Sequence, residues 1–516
     1  MDEVRETGQS QNKTISESNY DSQIRKFYAG KVILLTGFTG FLGTIILEKL
    51  LRTCTEVSRI YIMIREKKGM TVDERLNKYF QNIVFDKLRE VNPNFMEKVV
   101  PVHGDLIKID LGLSPEDRKS IIENVNIIIH NASLVYFEAK VSRLLRINVI
   151  GTQKMLELGL ECPHLEVFMY VSTAYSHHDN KRIEEKFYPP PVDLKVIQDM
   201  ILADEENEAG LSKQVVNEIV GKWTNLYVFS KAIAEGVVQR FSRRTSLPCI
   251  VYRPSIIVSA YREPIPSWTG NEHGPIKLFI AAGLGMVHTT LISENISLDT
   301  IPVDFAVNNL LAVIWDYVAH RQSNKPEVYN YASSKWNPVN YKTLKDAFSK
   351  AIVELPPMSM VWYPFMVLTD NLFIFVVLHT LCHVLPAVLV DLVLIVQWKK
   401  PKAVSILLKL GKNFYMIYHF ASRHWNIEAD KSKDILKRMN DVDLEEFQFD
   451  LERIDWFKHV TLYANLIRNI TNDTPDTIPA AKRKHRRLMV LHYTVCGLFI
   501  LFSLLLLYKI ACNFFY

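Results

Sequence analysis

Lys31-Val-Ile-Leu-Leu-Thr-Gly37-Phe-Thr-Gly40-Phe-Leu-Gly43 is the stretch that decides the fold. An apolar run of strand length, residues 32–35, leads straight into Gly-x-x-Gly-x-x-Gly, and a helical pattern follows to about residue 51. Gly37 allows the tight turn, Gly40 lets backbone approach a pyrophosphate, and Gly43 lets the helix pack on its strand. The amino terminus of that helix then offers N–H groups and a positive dipole to the phosphates. Thr36, Gly37, Thr39, Gly40, Phe41, Leu42 and Gly43 are therefore expected to hold a dinucleotide.

Outward from this loop, short apolar strands are expected at residues 59–64, 99–102, 125–129, 167–171 and 250–252, with a helix over 148–158. Strands alternating with helices at this spacing indicate right-handed crossovers and an α/β fold with a doubly wound parallel sheet. Ligands in such sheets lie beyond the carboxyl ends of the strands. Polar clusters stand at those ends: Gly104-Asp105-Leu106, His130-Asn131-Ala132-Ser133, Ser172-Thr173-Ala174-Tyr175 and Arg253-Pro254-Ser255. Asp105, Leu106, Asn131, Ala132, Asn148, Pro254 and Ile256 are accordingly added to the expected cofactor contacts.

The end of the second strand speaks to the choice of cofactor. An NAD enzyme usually carries Asp or Glu there, about 20 residues after the loop, for the ribose 2′-hydroxyl. This chain has Arg65, with Lys67 and Lys68 close behind. A guanidinium suits a 2′-phosphate by charge and by bidentate geometry, so Arg65 and Lys67 point to NADPH.

Some 190 residues after the loop comes Tyr227-Val-Phe-Ser-Lys231, a phenol and an ammonium at i and i+4 on one helix face. A neighbouring ammonium favours phenolate and makes a tyrosine hydroxyl a better acid than its ordinary pKa of about 10 allows. Thr173, with Ser172 beside it, ends the adjacent strand and can donate a hydrogen bond to a substrate oxygen. Tyr227, Lys231, Thr173 and Ser172 are the expected catalytic set, with Lys231 also on the cofactor.

The rest of the composition bounds the answer. A net charge of +5 carries no nucleic-acid signal, and six scattered cysteines without a Cys-x-x-Cys pair argue against a disulfide framework or a metal site. Residues 1–26 read as a disordered polar tail, 27–346 as the dinucleotide-binding domain and 347–478 as a mostly helical domain. Residues 488–508 are 21 uncharged, mostly apolar positions, long enough for roughly 30 Å of hydrocarbon, and read as a transmembrane helix. The basic cluster at 482–487 before it, against Lys509 alone after it, predicts a single span with the catalytic part in the cytosol, at the endoplasmic reticulum or peroxisome. A second apolar region, 365–398, contains Pro386 and Asp391 near its middle. Both are costly in lipid, so a helical pair packed on the sheet domain or in the membrane interface is expected there.

Thr36-Gly-Phe-Thr-Gly-Phe-Leu-Gly43, Val171-Ser-Thr-Ala-Tyr175 and Tyr227-x-x-x-Lys231 together resemble the extended short-chain dehydrogenase/reductase superfamily, with its extended Rossmann fold. Arg253-Pro254, Asp299-Thr-Ile-Pro-Val-Asp304 and His383-Val-Leu-Pro-Ala-Val-Leu-Val-Asp391 narrow this. With them the chain is similar to the alcohol-forming fatty acyl-CoA reductases, in an insect-like form, from about residue 28 onward. The resemblance implies reduction of a long-chain acyl-CoA by two NADPH, through an aldehyde, to a primary alcohol with release of CoA. It also implies that Tyr227 and Thr173 hold the carbonyl. Two motifs depart from the family pattern: Asn225-Leu-Tyr-Val-Phe-Ser-Lys231 in place of Asn-Thr-Tyr-x-Phe-Thr-Lys, and His130-Asn-Ala-Ser133 where His-x-Ala-Ala is usual. Neither removes a catalytic group. The alternatives are a membrane-bound dehydrogenase of the superfamily acting on a sterol or sugar nucleotide, and a non-catalytic cofactor-binding scaffold. Membrane lipid is an expected partner; oligomeric state is not legible.

Overall fold

The structure, a computed structural model, describes residues 21–65, 69–135, 140–270 and 275–515. One sheet of seven parallel strands carries the fold: β1 Val32–Thr36, β2 Arg59–Ile64, β3 Val99–His103, β4 Ile127–His130, β5 Val167–Val171, β6 Cys249–Pro254 and β7 Glu327–Tyr331. Their spatial order is β7-β6-β5-β4-β1-β2-β3. The chain winds one way from β1 to β3 and the other way from β4 onward, so the order reverses between β1 and β4. A crevice opens at such a reversal, beyond the strand ends.

The helices used below are α1 Gln23–Tyr28, α2 Phe41–Thr53, α3 Val72–Phe80, α4 Gly151–Glu161, α5 Leu226–Thr245, α6 Pro275–Gly283, α7 Val303–His320, α8 Tyr341–Glu354, α9 Leu372–His379, α10 Leu385–Val396, α11 Ala403–Ala421 and α12 Ile478–Phe515. Alternate strand residues feed two cores. Ile33, Leu35, Ile62 and Ile129 pack toward α2 and α7, whereas Leu34, Ile128, Phe168 and Val251 pack toward α4 and α5. Both faces are covered, which is why these strands are apolar throughout rather than alternating.

Three expectations about the ends of the domains change. The polar tail stops short of residue 26. Ser22 is buried and donates to Asp443 Oδ1 at 2.5 Å, while Asp443 also accepts the Gln23 and Ile24 N–H groups at 3.1 and 3.2 Å, so a carboxylate caps α1. The residues before 21 lie outside the described ones. The division at 346/347 falls inside α8. Moreover Phe447, Phe449, Trp456, Tyr463 and Ile467 share a core with Ile33 and Leu35, so the carboxyl-terminal residues are built onto the sheet domain.

The third change concerns residues 365–398. Leu372–Val396 forms a helix through a π-type turn at Thr380–Val384, with 6% of its most apolar window buried. Pro386 comes just after that π-type turn, a local adjustment of the kind that accommodates a proline inside a helix. Asp391 caps α11, accepting the N–H groups of Lys402, Ala403 and Val404 at 2.7, 2.8 and 3.0 Å. Both features that argued against a span are thereby accommodated. Among the described residues two helices are long and apolar enough to cross a membrane, Leu372–Val396 and Pro475–Asn513, the latter containing the expected 488–508. Trp398, at the bend between α10 and α11, is 98% exposed.

Candidate active site

The loop between β1 and α2 fits a pyrophosphate because side chains are missing where they would collide. Gly37 has φ of 70°, and a Cβ there would lie 2.7 Å from the Ala132 backbone beyond β4. A Cβ on Gly43 would lie 2.2 Å from the Gly37 carbonyl oxygen. Gly40 is exposed, meets only that carbonyl oxygen at 3.2 Å and caps α2 without a side-chain hydrogen bond. The first N–H groups of a 13-residue helix are thus left for an anion. Thr39 is exposed beside Gly40, Leu42 is buried under the loop, and the Phe41 ring lies 5.7 Å from Trp268.

The loops after β1 and β4 are tied together across the crevice. Asn131 Nδ2 donates to the Gly37 carbonyl at 3.2 Å, and the Ala132 N–H donates to Thr36 Oγ1 at 3.1 Å. Thr36 Oγ1 also bonds His130 Nδ1 at 2.9 Å, and His130 Nε2 reaches Thr152 Oγ1 on α4 at 3.2 Å. Burial, helped by the charge of Lys231, pushes the His130 pKa down to about 3, so this bridge is neutral. Asn148 accepts the Leu134 N–H at 2.8 Å and donates to Ser230 Oγ on α5 at 3.0 Å. Leu106 packs where a Cβ on Gly151 would meet its side chain at 2.9 Å, and Asp105 Oδ1 accepts the Ile107 N–H at 3.2 Å. Asn131, Asn148, Asp105 and Leu106 therefore shape the crevice from behind.

Arg65 is exposed just past β2, and its carbonyl oxygen accepts from the guanidinium of Arg75 on α3. Two cations thus stand together just past the carboxyl end of β2. Lys67 lies outside the described residues.

Asn225 caps α5 by accepting the Val228 N–H at 3.0 Å, which sets Tyr227 in the first turn. Lys231, one turn on, is buried and donates from Nζ to the Val171 carbonyl at 2.7 Å, with the Tyr170 ring 4.7 Å away. Burial pushes the Lys231 amine down to about 7, opposed by Glu235, and pushes the Tyr227 hydroxyl up to about 12. Desolvation is the larger influence on both groups. A phenol held protonated at neutral pH is a proton donor rather than a base. Thr173 Oγ1 accepts the Tyr175 N–H at 3.3 Å, a role that keeps the hydroxyl proton for donation.

Ser172 does not join them. Its hydroxyl donates to Glu235, on the same face of α5 one turn beyond Lys231. Glu235 also accepts from Ser176 Oγ at 2.8 Å and Arg253 Nε at 3.0 Å, and bonds His177 Nε2 at 3.1 Å. Arg253 is wholly buried, and its charge with the His177 bond holds the Glu235 carboxyl far below the usual carboxylate range. This network clamps α5 to the ends of β5 and β6, so Ser172 is a positioning residue. Pro254 ends β6, and Ile256 lies in the short strand Ile256–Val258 that pairs with Thr300–Pro302. Ile256 borders Tyr227 in an apolar cluster with Trp223, Phe420 and Trp425. Asp299 and Asp304 prove to be loop anchors: Asp299 Oδ1 accepts the Ser333 N–H at 2.8 Å, and Asp304 accepts three N–H groups from residues 261–263.

The chain matches known proteins over most of its length. The NAD-binding model of the male sterility proteins matches residues 35–310, and a second male sterility model, Sterile, matches residues 382–470. Fatty acyl-CoA reductase 1 of Rattus norvegicus is 34% identical over 471 residues, 91% of this chain and 90% of that protein. The chain belongs to the fatty acyl-CoA reductase family. Fatty acyl-CoA reductase wat of Drosophila melanogaster is 33% identical over 94% of this chain and 93% of its own length. Among solved structures, the terminal R domain of the myxalamid pathway superposes with a TM-score of 0.58 at 21% identity, over 86% of this chain and 91% of that one. The R domain of a Mycobacterium tuberculosis nonribosomal peptide synthetase gives 0.57 at 16%, over 86% and 92%. These share the fold. For this family member the crevice is a nicotinamide-dinucleotide site.

Several functional residues escape sequence reasoning. Glu235 had a signal, a carboxylate at i+4 from Lys231 inside an apolar helix. Arg253 was legible as a motif but not as the partner of Glu235. His177, Thr152 and Arg75 had no signal. Phe420 and Trp425 arrive from almost 200 residues downstream of Tyr227 and had none either.

Proposed function

We propose that this protein reduces long-chain fatty acyl-CoA with two NADPH to a primary alcohol, releasing CoA. The observation that carries the reading is the placement of Tyr227 in the first turn of α5, packed against the apolar cluster that holds Ala174 and Tyr175, the residues that follow Thr173. When bound, a nicotinamide dinucleotide supplies the hydride in each of two rounds. The first N–H groups of α2 take its phosphates, and Arg65 with Arg75 takes the 2′-phosphate that distinguishes NADPH. Thr173 donates to the thioester carbonyl, and Tyr227 delivers its phenolic proton to that oxygen as negative charge develops. Collapse of the hemithioacetal breaks the C–S bond and expels CoA as its thiol, leaving an aldehyde. In the second round Tyr227 protonates the aldehyde oxygen to give the alcohol. Lys231 and the Glu235 network keep the first turn of α5 against the end of β5.

The basic cluster 482–487 supports an orientation with the catalytic part in the cytosol, and insertion after synthesis into endoplasmic reticulum or peroxisome. Membranes carrying the protein, incubated with NADPH and a panel of acyl-CoAs, should yield fatty alcohols. Tyr227→Phe should lower turnover by roughly 10²–10⁴. Absence of alcohol from every acyl-CoA, or near-normal turnover by the variant, refutes the reading.

A further inference from the structure

An apolar cleft runs between α6, α8 and α11, lined by Phe279, Ala282, Leu298, Tyr341, Phe414 and Ala421 among others. Its position is informative at both ends. At one end Ala421 follows Phe420, whose ring lies 5.0 Å from that of Tyr175 and which belongs to the cluster holding Tyr227 and Ile256. Tyr175 OH in turn donates to the Asp299 carbonyl at 3.3 Å, next to the lining residue Leu298. At the other end the cleft is lined by Met366 and Leu368, which precede the apolar helix beginning at Leu372. Lys345 is the one charged residue of its lining, and it is ion-paired with Glu294.

Resting on the acyl-CoA reading above, we propose that this cleft is the acyl-chain subsite, leading from Tyr227 toward the foot of the Leu372–Val396 helix, with α11 as the wall that sets chain length. The occupant follows from chemistry. A thioester carbonyl at Tyr227 leaves its alkyl tail to be desolvated, and Phe420 of the aromatic wall is followed directly in the chain by the cleft-lining Ala421. From Ala421 back to Phe414, both lining the cleft, the helix advances about 10 Å, the span of several methylenes. Ala282 and Ala421 leave room where a larger side chain would fill it, and Phe414 bounds the far side. Longer chains pass Leu368 toward the apolar helix, where a lipid-soluble alcohol can leave.

The test is the ratio of kcat/KM for hexadecanoyl-CoA to that for octanoyl-CoA. Ala282→Phe fills the cleft and should lower this ratio at least about tenfold, the discrimination expected when methylenes lose an apolar pocket. Phe414→Ala opens it and should raise the ratio. A hexadecanoyl-CoA carrying a terminal photoreactive diazirine, used on the unmodified protein in membranes, should label residues of α6 or α11. Unchanged ratios in folded variants, or labelling confined to other segments, overturn the cleft assignment. An unmodified protein that reduces no acyl-CoA overturns instead the reading on which it rests.

Discussion

Lys231 Nζ lies 2.7 Å from the Val171 carbonyl oxygen, which fastens the amine of α5 to the last residue of β5. Burial there lowers its pKa from 10.5 to about 7. The unfolded chain holds this proton up to about pH 10, whereas the folded chain gives it up above about 7. The penalty on folding is therefore full below pH 7 and fades as pH rises toward 10. Lys231→Met removes it. The variant should melt higher than the unmodified protein at pH 6.5, with a gap that narrows by pH 9.5, and should lose alcohol formation. A gap independent of pH counts against the assignment.

Glu235 and Arg253 form an ion pair at 2% and 0% side-chain exposure. Removing one partner of such a pair strands a buried charge. Glu235→Gln should destabilise the fold by about 3–5 kcal/mol, read as a lower midpoint in denaturant. Glu235→Leu combined with Arg253→Met should recover much of that stability without recovering activity, because Ser172, Ser176 and His177 would have lost their common acceptor.

Arg65 stands where an acidic residue would be needed for NADH. Arg65→Ala should raise KM for NADPH by about 10- to 100-fold, the worth of hydrogen bonds to a charged group, and leave NADH use little changed. Equal use of both cofactors by the unmodified protein would sink the preference.

Removing residues 482–516 deletes the second of the two long apolar helices and leaves Leu372–Val396. With that helix at 6% burial and Asp391 satisfied by the start of α11, the truncated protein should stay largely in the pellet after carbonate extraction. Release requires a further substitution, Leu389→Asp with Leu392→Asp on the exposed face of α10. Complete release by truncation alone would show that α12 is the sole anchor.

Local order in the chain was enough for the sheet, the glycine loop and the Tyr227/Lys231 helix, because strand runs, turn glycines and an i,i+4 pair each depend on neighbours a few residues apart. The strand at 327–331 escaped notice: Glu327, Asn330 and two tyrosines interrupt its apolar run, and only pairing with β6 makes it a strand. Pro386 and Asp391 look costly in lipid as isolated residues, whereas the fold gives Asp391 three N–H donors and places Pro386 just after a π-type turn.

The sequence by itself determined the fold class, the glycine-rich turn of the dinucleotide crevice and the placement of Tyr227 and Lys231 on one helix face, since all three rest on short-range spacing. Tertiary structure alone decided which charges neutralise one another and what walls the site. Nothing in the sequence says that the Ser172 hydroxyl donates to Glu235 or that the Lys231 amine donates to the Val171 carbonyl. Phe420 and Trp425 reach Tyr175 because the carboxyl-terminal residues bury their apolar side chains in the same core as the sheet. Desolvation and hydrogen-bond competition act through space, and no window of sequence contains both partners.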